Sequence, residues 1–395
     1  VHDFSALVAS VRHHGRSVAE IVREQMGPRA WLAMMVFIWL ALVYVIVAFA
    51  DLTASTFVGR SEELEGGRFT FNPGGAVAAA SILYLLLAIV MGLVERYLRP
   101  PLWLTTIVFV PATLGVVWLG TEISTWLLLP QKTWALGILG YCVVASLMPV
   151  WMLLQPRGYL GGFVLYLALA IGVLGIFFGG FEVKQEAFKG WTAPGPTGAL
   201  VPFLFVTIAC GACSGFHGLV CSGTTSKQIA LESHCRPVGY GGMLLEGLVA
   251  VIALATIMIL APAESAKLPP GVVYGNGLAH FLTALIGPEH FVFATTFGAM
   301  AFSTFVFDTL DVSTRLGRYI VQELFDWRGR GAAIGATIAT MGPPAILAVI
   351  AGEGSYRVLW TLFGTSNQLL ASLSLLGITV WLKRNGRPYW FAALP

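Results

Sequence analysis

The chain has 395 residues, of which 57% are hydrophobic and only 11% charged, and its mean hydropathy is +0.79. A soluble protein carries about a quarter charged residues, so a water-facing shell for a chain of this size is excluded and most of its apolar surface must lie in lipid. The net charge of +3 is too small and too dispersed for a nucleic-acid partner, and the five cysteines describe no disulfide framework.

The chain begins at Val1 and not at Met, without a signal peptide. Residues 1–30 read as the cytoplasmic end of a preceding helix and a loop, so the expectation is a single transmembrane domain over 1–395, truncated at its N-terminus. Ten apolar runs then approach the roughly 20 residues that a bilayer requires: 31–50, 75–94, 103–120, 134–154, 161–180, 200–220, 240–261, 291–319, 331–351 and 359–381. The alternation of a barrel strand is absent, so all read as helices of a bundle over 31–388, and 389–395 reads as the start of a further helix. The stretch 271–288, Gly-containing and only partly apolar, is expected to be a surface or re-entrant helix. Basic residues support the count. One set of alternate loops holds sixteen, including Arg12, Arg96, Arg157, Lys227, Arg315 and Lys383, and the other holds seven: Arg60, Arg68, Lys132, Lys184, Lys189, Lys267 and Arg357. The positive-inside rule places the richer set in the cytoplasm.

Ionisable and breaking residues at membrane depth are costly and mark candidate sites. The first cluster is 208–227, IACGACSGFHGLVCSGTTSK, in which Gly211, Gly215, Gly218 and Gly223 with Ser214, His217, Ser222, Thr224 and Thr225 make a poor continuous lipid-facing helix. A broken helix fits, and transporters use such breaks to ligate solute or ion with freed backbone groups. Close packing of small residues is the competing reading. His217 can carry a proton near neutral pH, or be a neutral imidazole bonded within the bundle. Cys210, Cys213, His217 and Cys221 share one helix face. A single face cannot wrap a tetrahedral ion, so no metal is expected. The second candidate is Glu246, either a proton-relay acid or a partner for a neighbouring hydroxyl. The third is a polar stripe of Thr304, Asp308, Asp311, Arg315, Arg318 and Gln322 at steps of three and four along one helix. Asp311 and Arg315 at i,i+4 suggest an internal ion pair, which leaves Asp308 as the unpaired carboxyl suited to a cation or a proton. Ser366, Asn367 and Gln368 suit helix–helix hydrogen bonding as well as solute contact.

No phosphate-binding loop, HExxH or haem motif is present, so direct ATP drive, intramembrane proteolysis and redox chemistry are not expected, and no cofactor is called for. A nucleophile–base pair at recognisable spacing is also missing, so the chain does not read as an enzyme. Polar breaks within ten spans favour a secondary transporter.

VHDFSALVASVRHHGRSVAE at the start, PFLFVTIACGACSGFHGLVCSGTTSKQIA followed by GYGGMLLE, and then TLDVSTRLGRYIVQ and LWTLFGTSNQLLASL, resemble the carbon starvation protein family of bacterial inner-membrane transporters over essentially the whole chain. The resemblance implies uptake of pyruvate or short peptides, driven by protons, through a LeuT-like inverted repeat. In that repeat 31–50 is the third helix, 134–154, with Ser146 and Pro149, a discontinuous sixth, and the His217 span the eighth. It also implies an upstream Gly-rich helix with a His pair that is missing here. Asp311 lies in the family's TLD motif, whereas at Asp308 the family often has an uncharged residue.

The expected solute ligands are therefore Ser214, Gly215, His217, Ser222, Gly223, Thr224 and Thr225, with exposed N–H groups at the break suited to a carboxylate. His217, Glu246, Asp308 and Asp311 are the coupling candidates, and Asp311 with Arg315 the gate. Ser, Thr and carbonyl groups would suit sodium, His217 and Glu246 protons. The alternative from another class is a membrane sensor that binds the nutrient without moving it, against which the absence of a soluble signalling segment counts.

Overall fold

The computed structural model describes residues 1–59, 61–64, 69–192, 199–266, 268–350 and 356–395. Arg60, Arg68 and Lys267 of the expected sparse loop set lie outside these residues, as do the side chains of Arg357 and Cys210.

In chain order the helices are α1 (His2–Arg12), α2 (Val18–Met26), α3 (Pro28–Thr56), α4 (Pro73–Tyr97), α5 (Leu102–Glu122), α6 (Gln131–Leu147), α7 (Leu154–Phe178), α8 (Leu200–Ala212) and α9 (Gly215–Gly223). There follow α10 (Gly242–Met258), α11 (Pro262–Ser265), α12 (Pro270–Ile286), α13 (Phe291–Leu324), α14 (Arg330–Ile350), α15 (Tyr356–Arg384) and α16 (Trp390–Ala393). The loop between α3 and α4 adds an antiparallel ribbon of β1 (Glu62–Leu64) and β2 (Phe69–Phe71), in register Glu63 opposite Thr70.

Helix ends follow local chemistry. Pro28 opens α3 after Gly27 at φ +96°, and the Asn72 side chain accepts from Gly75 N–H at 2.8 Å to cap α4, which opens with Pro73. Among the described residues, seven segments are long and apolar enough to cross a membrane: Pro28–Thr56, Pro73–Tyr97, Leu102–Glu122, Leu154–Phe178, Glu232–Met258, Pro288–Leu324 and Arg330–Ile350. Large apolar side chains cover their outer faces, among them Trp103, Ile107, Trp118 and Phe177. Such a surface is stable only in lipid, so the chain is an all-α polytopic membrane protein.

The 34-residue α13 is the axis of the bundle, touching α3, α4, α5, α6, α7, α12 and α14 and contributing to all three large apolar cores. The stretch 271–288, expected to be a surface or re-entrant helix, is α12, and the burial of its Val273, Tyr274, Leu278, Phe281 and Leu282 against α7, α10 and α13 rules out the surface reading. Its glycines allow this. A Cβ on Gly275 would lie 2.9 Å from the Ala299 backbone nitrogen of α13, so the two helices meet at backbone distance. Residues 1–30, expected to hold only a helix end and a loop, form α1 and also α2, capped by Ser17 and buried through Val18, Ala19, Ile21 and Val22.

The polar stripe of α13 is read differently by the fold. The run expected at 161–180 begins at Leu154, so Arg157 is no loop residue but a fully buried side chain on α7. It pairs with Asp311, donates to the Tyr141 hydroxyl at 3.0 Å and the Thr304 carbonyl at 3.2 Å, and lies 3.3 Å from Asp308. Tyr141 donates in turn to Asp311 at 2.9 Å. Asp308 is therefore not unpaired, and the ion pair expected between Asp311 and Arg315 is not the one formed. Arg315 instead donates to the carbonyls of Ala145 (2.9 Å) and Met148 (3.0 Å), and Arg318 to that of Ser146 (2.5 Å). The reason is positional: the run expected at 134–154 ends as a helix at Leu147, and the last carbonyls of α6 need donors that apolar surroundings do not provide.

Two substitutions test these contacts by thermal unfolding of the purified protein in detergent. Arg157→Met strands the buried Asp311 charge and is expected to cost about 3–5 kcal/mol, much of it recovered by adding Asp311→Leu; unchanged stability of the single variant would show that the pair does not hold the bundle. Gly275→Leu is expected to destabilise by about 1–3 kcal/mol or more through overpacking, whereas Gly247→Leu on α10, with open space around its Cα, is expected to be neutral.

Candidate functional site

The expected break is present. The chain leaves α8 at Ala212 and re-enters a helix at Gly215, with Ser214 in extended conformation (φ −87°, ψ 119°) between them. Two N–H groups of its first turn, those of Phe216 and His217, are already taken. The Ser214 hydroxyl accepts from His217 N–H at 3.4 Å, and the Asn367 side-chain carbonyl of α15 accepts from Phe216 N–H at 2.7 Å. Asn367 also donates to Ser214 Oγ at 2.9 Å, and a Cβ on Gly215 would meet the Ala371 nitrogen at 2.6 Å. Ser214 and Gly215 thus seat α9 on α15 and line neither polar cavity described below. The carboxylate site expected at the break is filled by protein.

The two faces of the nine-residue α9 look into two different cavities. His217, Val220 and Cys221 face a cavity of about 360 Å³ closed by α1, α10 and α13. Here His217 Nδ1 lies 3.1 Å from Asp3 Oδ2 and its Nε2 lies 3.6 Å from Glu246 Oε1. Asp3 is further bound by His2 Nδ1 at 2.7 Å, and both residues are buried. Asp308, Thr225 and Thr309 add to the polar lining, the Asp308 carboxylate being partly open to the space while its other side meets Arg157. Asp3, His217 and Glu246 are the one group of described residues whose donor atoms lie close enough to share an ion. The two carboxylates lie nearest to opposite ring nitrogens, so the imidazole bridges them.

Leu219, Ser222 and Gly223, on the opposite face of α9, border a second cavity of about 380 Å³ together with Thr224, Lys227, Arg315 and Glu323. Ser222 is spent on structure: its hydroxyl donates to the Gly218 carbonyl at 2.8 Å and accepts from Val18 N–H at 3.2 Å, tying α9 to α2. Thr224 Oγ1 donates to the Val220 carbonyl at 2.8 Å.

Of the residues singled out in the sequence, the fold brings together His217, Glu246, Asp308 and Thr225 in one cavity and Ser222, Gly223, Thr224 and Arg315 in the other. Asp311 faces neither, locked to Arg157. Sequence reasoning missed Asp3 and His2, which share a first turn with Phe4 and Leu7; an acid beside a His in an otherwise apolar helix was the signal available. It also missed Arg157 as a buried partner. Cys213 and Cys221 are half-buried free thiols.

The model of the carbon starvation protein CstA family matches residues 1–276 and 265–395. The chain is 30% identical to the peptide transporter CstA of Mycobacterium tuberculosis H37Rv, over 99% of its own length and 60% of that protein. It is 29% identical to the Escherichia coli K12 peptide transporter CstA, covering all of this chain and 65% of the relative. With the pyruvate/proton symporter BtsT of the same organism the identity is 27%, over all of this chain and 66% of the relative. The chain therefore spans less than two thirds of the length of these relatives. A family model that matches the chain along its whole length leaves one conclusion: the chain belongs to the carbon starvation protein CstA family.

Proposed function

We propose that this chain is the membrane-embedded part of a secondary transporter that takes up pyruvate or a short peptide together with protons. The observation that carries the reading is the Asp3–His217–Glu246 chain at the wall of a cavity beside a broken helix. Asp3 can only accept, so it holds the hydrogen on His217 Nδ1 and turns Nε2 towards Glu246. Two lone-pair-bearing groups facing each other repel unless a proton resides on one of them. That place is filled and emptied by one proton, and it opens onto the cavity shared with Asp308. The names of the relatives, peptide transporters and a pyruvate/proton symporter, support the same class. The wider architecture goes with it: ten spans in a LeuT-like inverted repeat, in a bacterial inner membrane, with Asp311 and the Arg315 region as the moving joint between α6, α7 and α13.

The first test is uptake of labelled pyruvate and of a labelled dipeptide into proteoliposomes holding the full-length protein. Accumulation of one of them under an inward proton gradient, collapsing with an uncoupler, is expected; saturable binding with no accumulation under a proton or a sodium gradient would replace the transporter with a sensor. His217→Ala and Glu246→Gln are each expected to bring accumulation down to that of empty liposomes while insertion and thermal stability are kept, and wild-type uptake in both would remove them from the mechanism. Asp3→Asn, which keeps an acceptor but loses the charge, is expected to slow uptake severalfold and to move its pH profile, whereas a pure loss of folded protein would make Asp3 a packing residue only.

A further inference from the structure

A transported carboxylate needs a positive partner, and neither of the obvious places provides one. The Phe216 and His217 N–H groups at the start of α9 are held by Asn367 and Ser214, and the cavity around His217 is lined by three acids, Asp3, Glu246 and Asp308. The cavity on the opposite face of α9 is different. Its lining brings Arg315 of α13 and Lys227 of the turn after α9 together with Ser17, Gln155, Thr224 and Tyr319. Among the described residues neither Arg315 nor Lys227 makes an ion pair.

Arg315 is the telling residue. It is only 6% exposed, its Nη2 is spent on the carbonyls of Ala145 and Met148, and its Nε has no partner. A guanidinium is charged at every physiological pH, and here its near neighbours are the Tyr319 hydroxyl and, one turn back, Asp311, which is itself paired with Arg157. The one acid at this cavity, Glu323, sits eight residues along α13, about 12 Å at the rise of a helix, and accepts from Trp31 Nε1 at 3.4 Å. The side chains lining this cavity suit an anion.

Building on the transport reading above, we propose that this second cavity is where the carboxylate of the solute docks, with Arg315 as its anchor and Lys227 as a second, more exposed positive group. The nine residues of α9 then divide the work between proton and solute: one face carries the proton-holding imidazole, the other borders the anion. Arg315 also holds the end of α6, so filling the site changes the balance of charge at the joint between α6 and α13.

The test is equilibrium binding of radiolabelled pyruvate to the full-length protein in lipid nanodiscs. Arg315→Lys, which keeps the charge but loses the planar fork, and Lys227→Gln are each expected to weaken binding about tenfold, the scale of one charge-assisted hydrogen bond. Lys227 is exposed and holds no helix end, so its variant remains informative if Arg315→Lys fails to fold. Unlabelled pyruvate and a dipeptide are expected to compete and their neutral amides not to. Wild-type binding in both variants, or equal competition by the amides, would overturn the site. If wild-type protein accumulates pyruvate while the variants bind normally, transport stands and this cavity falls; if wild-type protein neither binds nor accumulates any carboxylate, both fall.

Discussion

A helix that stops inside an apolar bundle leaves N–H and C=O groups that no water can receive, and each one left open costs free energy comparable to a lost hydrogen bond. Much of this structure follows from how those ends are closed. The start of α9 is closed by Ser214 and by Asn367 from α15, the end of α6 by Arg315 and Arg318 from α13. The Asn367, Arg315 and Arg318 contacts are long-range, so the breaks also fix which helices must be neighbours. It explains as well why two arginines three residues apart lie in the interior: they are the donors that α6 lacks.

The second organising feature is a separation of charge along α13. Asp308 and Asp311 come first, gathered around Arg157, and Arg315 and Arg318 follow one turn later at the end of α6. The short helix α9 crosses this boundary and presents a different face to each side. An acidic cavity holding His217 and a basic one holding Arg315 therefore lie back to back across a segment of nine residues. Residues of α9 line both cavities, so a movement of α9 would alter both at once, which is the physical requirement for coupling two binding events.

Family members span more residues than this chain does, and the geometry gives the shared segments physical content. The VHDF start supplies Asp3 and His2 to the imidazole, the SGFH segment supplies the break and His217, the TLD segment supplies Asp311, and the SNQ segment supplies the cap Asn367. Four segments far apart in the chain thus meet within one set of contacts around α9 and α13. Small residues make this approach possible: a Cβ on Gly218 would lie 3.1 Å from the His2 ring, so α1 can reach α9 only where that position carries no side chain.

The sequence by itself determined the class of molecule. Its scarcity of charge forced the chain into lipid, the apolar runs placed the helices, and the glycines around His217 marked the break, because hydropathy and helix-breaking residues act over a few neighbours along the chain. Tertiary structure alone decided the partners. Arg157 looked like a loop charge because the apolar run began after it, yet the helix starts earlier and buries it against Asp311. Asp311 and Arg315 are neighbours on one helix face, but each found a stronger partner on α6 or α7 than on its own helix. The short Gly-containing stretch at 271–288 was too weakly apolar to declare itself, and only the close approach to α13 shows why its glycines belong inside. Pairing of buried charges depends on which faces meet, and that is set by packing across hundreds of residues, which no local pattern contains.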